Sequence, residues 1–344
     1  MNMHNEIMKE GPLLTAEGRL TEPGWAKNLI LNYNRSAIKA SKLRIKEWDY
    51  YCIINHEEKK GIALTIADNS YMGLLSVSYL DFNKPMEITK SVMKPFTMGK
   101  FNMPETSKEG DICVNIKNVN LNFTKDGESR ILTVEYKDFS NGKSLKGRMK
   151  LYQPNDMDTM VIATPFIEDK KAFYYNQKVN CMEAEGEIAF GHEKIKFNRE
   201  NSFSVLDWGR GVWTYSNTWY WGSGSGVVDN VPFGFNIGYG FGDTSRATEN
   251  VIFYNNKVHK LEDIEFHIPN DNYLKPWKFT SSDNRFEMDF RPIIDRNAES
   301  NLIFLKSIQH QVFGYFTGKA VLDDGREVYI KDFFGFAEKV TNKW

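Results

Sequence analysis

The chain is poor in cysteine, and the three it has, Cys52, Cys113 and Cys181, are widely separated. An odd number without C-x-x-C spacing argues against a disulfide framework and against a zinc cluster. Three thiols kept reduced is the simplest account. Histidine is scarce as well. His4, His56, His192, His259, His267 and His310 form neither HxH nor HExxH, so no metal site is expected. No apolar run approaches the ~18 residues that a membrane helix needs. The opening MNMHNEIMKEGPLL lacks the apolar stretch of a signal peptide. The expectation is a cytoplasmic protein with no integral membrane segment. Charge of one sign is also missing. The formal net charge of -1 gives no electrostatic case for nucleic acid or an anionic membrane as partner.

Several catalytic signatures are absent. The run Gly222-Ser223-Gly224-Ser225-Gly226 lacks the Lys-Ser/Thr of a phosphate loop, and no helical pattern follows to supply an amide cradle. It reads as a flexible hairpin loop. There is no Gly-x-Ser-x-Gly elbow, and the many carboxylates show no paired spacing of the glycosidase kind. No cofactor is expected, and nothing in the sequence indicates an oligomeric state.

What the chain has in excess is aromatic side chains, 14% of its residues, within an ordinary composition of 41% hydrophobic and 26% charged. Aromatics favour strands and ligand cavities. The strongest local signals are hairpin turns. Asp126-Gly127, Asn141-Gly142, Asn255-Asn256 and Asp324-Gly325 each sit between alternating runs, and these dipeptides tolerate the positive φ of two-residue turns. Helical periodicity is weak, with one short helix expected over Asn34 to Lys42. The chain reads as all-β, an antiparallel sandwich or barrel. Its 344 residues suit two domains or one large β domain, at about 100–200 residues per domain.

One strand alternates strictly. In VPFGFNIGYGFG, Phe233, Phe235, Ile237, Tyr239 and Phe241 share one face, and Gly234, Asn236, Gly238 and Gly240 share the other. A row of glycine marks close approach by a ligand, another backbone or large rings. Either neighbouring tryptophans fill that groove, or it lines a cavity into which Asn236 points. The two halves also echo each other. KEWDYYCIIN and NTWYWGSGSG each start an aromatic strand that leads into a second apolar one, half a chain apart. Two similar β domains joined near residues 175–200 are expected.

Four of the eight tryptophans, Trp208, Trp213, Trp219 and Trp221, crowd into LDWGRGVWTYSNTWYWGSGSG with Asp207 and Arg210 beside the first. This segment, with GPLLTAEGRLTEPGW, YNR, KEWDYY and the closing DFFGFAEKV, resembles the bacterial domain-of-unknown-function family 2804. The likeness runs over essentially the whole chain, and DWGRGVW is its most specific piece. That family in turn resembles, at a distance, a lipocalin-like group of carotenoid hydratases, tocopherol cyclases, fungal Diels–Alderases and a stress-survival protein. The resemblance implies two tandem lipocalin-like antiparallel β-barrels, over residues 1–180 and 181–344. It also implies large apolar substrates handled without redox cofactors.

Hydration of an alkene or closure of an isoprenoid ring starts with a proton delivered to carbon. A carboxylic acid in an apolar pocket stays protonated near neutral pH, because desolvation disfavours its charge. Indole faces then stabilise the carbocation by roughly 1–2 kcal/mol each. Asp207 among Trp208, Trp213, Trp219 and Trp221 has these ingredients, with Asn236 as a further ligand contact. Arg210 cuts the other way: paired with Asp207 it would lower the acid's pKa, and it would then anchor a substrate carboxylate or fix a loop. Asp207 and Arg210 are the candidate catalytic residues. The structural alternative stays open. In it Asp-Trp-Gly-Arg-Gly is a tight loop, Asp207 caps backbone amides, and Arg210 stacks on tryptophan to close a barrel end. Trp219 and Trp221 share a strand face opposite Tyr220, which suits a cavity wall or an inter-domain core. The expected function is binding of a hydrophobic small molecule, a lipid, isoprenoid or polyketide-like compound, with hydratase, isomerase or cyclase chemistry as an extension. A non-catalytic lipid-binding or stress-related protein is the alternative.

Overall fold

The structure is a computed structural model describing residues 4–302 and 305–343. Among these there is no α-helix. Two 3-10 turns, Arg35–Ala37 and Lys42–Arg44, stand where one short helix was expected. Nearly all strands fall into two curled antiparallel sheets of thirteen and nine strands.

The first sheet runs Met86–Pro95, Met72–Asp81, Lys60–Asp68, Ile45–Asn55, Ser202–Val212, Phe173–Phe190, Lys143–Tyr152, Ser129–Ser140, Val119–Asp126 and Ile112–Ile116, with Met160–Pro165 and Glu193–Phe197 also on Phe173–Phe190 and Gly24–Ala26 on Met160–Pro165. The second runs Lys257–Lys260, Val251–Tyr254, Val231–Tyr239, Ser216–Val228, Glu327–Lys343, Leu305–Val321, Phe286–Leu302, Trp277–Ser281 and Ile264–His267. The molecule is two tandem lipocalin-like β-barrels. The chain leaves the first sheet after Val212 and enters the second at Ser216. Residues 175–200, where the junction was expected, and the 180/181 division within them belong to strands of the first sheet and their connections. No helix among the described residues is long and apolar enough to cross a membrane.

The expected turns sit where Asx residues permit positive φ, with Asn141 at 51°, Asn255 at 49° and Asn256 at 63°. Strand alternation then sorts the side chains. In the first barrel Leu64, Ile66, Leu121, Leu132, Leu206 and Trp208 point inward and are fully buried. In the second, Phe233, Phe235, Ile237, Phe279 and Phe316 form the core. Phe241, expected on that same face, lies beyond the strand end. Gly240 turns the chain at φ 89°, and Phe241 packs against Trp213, Trp219 and Tyr174 instead.

Two expected loops are strands. Asp207-Trp208-Gly209-Arg210-Gly211 lies inside Ser202–Val212, and the Gly-Ser run lies inside Ser216–Val228, paired on both sides over 222–224 and on one side at Ser225 and Gly226. The glycines serve space, not flexibility: a Cβ at Gly224 would meet Phe235 at 2.7 Å and Phe333 at 2.8 Å.

The barrels pack face to face. Tyr50, Cys52, Ile54, Phe82 and Val205 meet Trp221, Ile294, Phe313, Phe334 and Phe336. A β-bulge between Val179 and Met182, with Cys181 at φ 61°, pushes the strand Phe173–Phe190 toward the second barrel. Asn180 Nδ2 there lies 2.8 Å from Ser223 Oγ and 3.2 Å from Gly224 O, Ser225 Oγ and Phe235 O. A Cβ at Gly234 would sit 2.6 Å from Cys181 Sγ. This part of the glycine face is therefore filled by the Cys181 and Asn180 side chains of the other barrel. A cavity of about 20 Å³ remains between the barrels, bordered by Cys52, Phe203, Ser223 and Phe336, room for about one water.

Candidate functional site

The strands that face the second barrel carry a polar row in an otherwise apolar interface. Phe173–Phe190 turns Tyr174, Asn176 and Lys178 outward from the first barrel, because residues two apart share a face. Register places Lys178 beside Asp207 and Asp207 beside Tyr50. Lys178 Nζ is 2.9 Å from Asp207 Oδ1. Asn176 Nδ2 donates to the same oxygen at 2.5 Å, and Trp48 Nε1 donates to Oδ2 at 3.1 Å. The indole reaches that position because Gly209 lies beneath it: a Cβ there would come within 2.0 Å of Trp48.

The second barrel answers with a row in which Trp221 pairs with Glu338 and Glu338 with Gln311. Trp219 Nε1 donates to Glu338 at 3.0 Å, and Gln311 Nε2 donates to its other oxygen at 3.2 Å. The Tyr50 hydroxyl donates across the interface to Gln311 at 3.3 Å. Trp221 Nε1 donates to Asn236 Oδ1 at 2.7 Å, and Asn236 Nδ2 donates to the Glu249 carbonyl at 2.8 Å and carboxylate at 3.2 Å. Lys178 bridges the halves. Its ammonium stands 3.9 Å over the Trp221 ring and 3.8 Å from Glu249.

Three carboxyl groups, Asp207, Glu249 and Glu338, thus surround one buried lysine. Burial pushes Glu249 above its ordinary range, and the Lys178 charge only partly opposes this. Burial likewise drives Glu338 from 4.5 to about 7, against the Trp219 hydrogen bond and the Arg296 and Lys178 charges, with Asp207 adding to the rise. Burial holds the Tyr50 and Tyr174 hydroxyls well above the usual phenol value. The rim is aromatic. Trp48, Trp213 and Trp219 are partly exposed, with centroids 5.2 Å apart for Trp48–Trp213 and 5.8 Å for Trp213–Trp219, and Tyr174 stacks on Trp48 at 6.0 Å.

The sequence-predicted residues divide between two places. Asp207, Trp219, Trp221 and Asn236 meet in the interface between the barrels, with Trp213 at its rim. Trp208 and Arg210 do not. They sit on the opposite face of the same strand, inside the first barrel. Arg210 is fully buried, bonded to Asp49 at 3.0 Å, to the Trp48 carbonyl at 2.9 Å and to the Pro104 carbonyl at 2.9 Å. Its guanidinium lies 4.2 Å over the Trp208 ring, the Trp–Arg arrangement of the structural alternative. A pairing of Asp207 with Arg210 is replaced by Asp207–Lys178 and Asp49–Arg210. Sequence reasoning missed Lys178, Glu249, Gln311 and Glu338. A signal existed for Glu338: in DFFGFAEKV it follows Phe334 and Phe336 on one strand face, a carboxylate continuing an aromatic row. Lys178 likewise ends a Tyr174-Asn176-Lys178 alternation. Glu249, outside any strand, carried none.

The model of one protein family, Domain of unknown function (DUF2804), matches residues 4–344. The chain belongs to this family. No curated protein matches it in sequence. Its fold is that of a protein assigned as AttH from Nitrosomonas europaea, 9% identical with TM-score 0.55 over 97% of this chain and 99% of that one. It is similar too to kievitone hydratase from Nectria haematococca, 10% identical with TM-score 0.50 over 97% and 98%. At such identities the likeness is one of fold. In this DUF2804 protein both polar rows arise mainly from the strands that the two barrels turn toward each other.

Proposed function

We propose that the polar cluster between the barrels opens at its aromatic rim to bind a hydrophobic small molecule and transfers a proton to it without a cofactor, in hydratase, isomerase or cyclase chemistry. The observation that carries this is Glu338: a carboxyl group held to about 7 by burial, enclosed by Trp219, Trp221 and Phe336. It is protonated over much of the neutral range and can act as general acid. The indoles of Trp219 and Trp221 would face the cation that protonation of an alkene creates. Asp207, held by Lys178, Asn176 and Trp48, supplies a fixed negative charge nearby. In a hydration, Glu338 adds its proton to one alkene carbon and water adds to the other. The proton that water then loses returns to the Glu338 carboxylate. Admission of a ligand requires the rim indoles Trp48, Trp213 and Trp219 to part. Arg210 belongs to the scaffold in this reading, positioning the strand that carries Asp207. That one of the fold relatives is a hydratase agrees with it.

A second reading, binding without catalysis, draws on the complete hydrogen bonding of Asp207 and the stacking of Arg210 on Trp208. Native mass spectrometry of protein from its own host, followed by solvent extraction, identifies a bound compound. Incubation with that compound then separates the readings. Turnover that is lost in Glu338→Gln with binding retained supports catalysis; binding without turnover leaves a carrier. An empty protein whose tryptophan fluorescence responds to no lipid or terpenoid refutes both.

A further inference from the structure

A second polar constellation lies inside the first barrel, away from the interface between the barrels. The strands Val119–Asp126 and Ser129–Ser140 pair so that Lys125 stands directly opposite Arg130. The next pair on the same face, Phe123 and Leu132, is buried in the barrel core, so both cations face inward at its mouth. Like charges directly opposite each other on a sheet repel.

Among the described residues no carboxylate pairs directly with either cation; Asp49 and Glu128 act on them only through space. Arg130 is 4% exposed, yet its guanidinium bonds only neutral partners: Gln153 Oε1 at 2.9 and 2.7 Å, the Tyr51 hydroxyl at 3.4 Å and Ser107 Oγ at 3.4 Å. Asp49, the buried carboxylate of this cavity, is engaged by Arg210. Asp111 accepts the backbone N–H of Lys125 at 3.1 Å, and Glu109 and Glu128 are exposed. Among the described residues neither Arg130 nor Lys125 belongs to an ion pair with any of these. Burial, and then the Arg130 charge, lower the Lys125 ammonium to about 8. Between the two cations, Tyr51, Ser107 and Thr124, with the carboxylates Asp49 and Glu109 also on its wall, lies a cavity of about 10 Å³, room for about one water-sized particle.

We propose that this barrel mouth is an anion site, in which a small monoanion seats one atom, a halide or a carboxylate oxygen, between Arg130 and Lys125. Two charge-assisted hydrogen bonds would hold it and relieve the repulsion between the cations. The segment Pro104–Gly110 would cover it, since Pro104 is already held by Arg210 and Ser107 by Arg130.

The test is thermal unfolding of the full chain titrated with sodium chloride, sodium formate and sodium octanoate, in parallel on wild type and Lys125→Met. Lys125 is only partly buried, so this variant keeps the fold. The expected result is a saturable rise in Tm whose midpoint moves at least about tenfold higher in the variant. Equal responses to chloride and formate identify a free inorganic or small organic anion. A marked preference for octanoate identifies the carboxylate end of an apolar ligand. Titrations that superimpose for wild type and variant, or no saturable rise at all, overturn the proposal. NMR titration of the Lys125 side chain gives a readout independent of the variant. Saturating formate raises its pKa from about 8 toward the ordinary lysine value; a value that does not move overturns the site.

Discussion

Replacement of Glu338 by glutamine isolates the group on which the functional proposal rests. The carboxyl titrates at about 7 in the folded chain against 4.5 in a solvated one, because burial disfavours its charge. The folded state therefore binds this proton more tightly than the unfolded state. The stability that this group contributes is greatest below pH 4.5, falls as pH rises from 4.5 to about 7, and is level above. Each pH unit is worth about 1.4 kcal/mol, so the whole span is roughly 3 kcal/mol. Glutamine keeps an oxygen for the Trp219 indole and cannot ionise. We predict that urea unfolding free energies of wild type minus Glu338→Gln, measured between pH 5 and pH 8, decline by roughly 2–3 kcal/mol toward high pH. Subtracting the variant removes the slope that Glu249 contributes with the same sign. A difference that stays constant with pH refutes the raised Glu338 and, with it, a general acid at this position.

Three further perturbations probe the same frame. Lys178→Met should destabilise by about 3–5 kcal/mol, since it strands Asp207 in a buried site, whereas Lys178→Met with Asp207→Asn should recover most of that loss. A denaturant double-mutant cycle with no coupling would contradict this. Gly209→Ala places a Cβ 2.0 Å from Trp48 and should cost about 1–3 kcal/mol while shifting tryptophan emission, as the indole leaves Asp207; an unchanged spectrum and Tm would count against the packing. Asn180→Ala removes the amide that joins the bulge to the second barrel and should cost about 1–3 kcal/mol by calorimetry; a neutral effect would show the bridge to be idle.

Much of the fold was legible because hairpins are local. An Asx-Gly or Asn-Asn pair must find positive φ wherever it goes, and alternation of Phe and Gly over Val231–Tyr239 leaves one register that buries the rings. That Trp219 and Trp221 share a face followed from the same parity. The parity also held information about Asp207 and Arg210. Three residues apart on a strand, they must point to opposite sides. Reading Asp-Trp-Gly-Arg-Gly as a loop hid this, because glycine on both sides of arginine is a turn signature when no neighbouring strand is in view. Its two neighbours, Ile45–Asn55 and Phe173–Phe190, lie distant in sequence or unmarked by turn residues. The Gly-Ser run failed in the same way, since Phe235 and Phe333 that need its empty space come from other strands.

The sequence by itself determined the all-β class, the hairpins, and which side chains share a strand face, since these depend on dihedral preference and a two-residue period. Only the tertiary structure decided which acid is perturbed. The shift of Glu338 exists because Tyr50 and Gln311 from opposite barrels, with Trp219 and Trp221, close over it and remove water. Desolvation is a property of everything around a group, and no local stretch of sequence contains it.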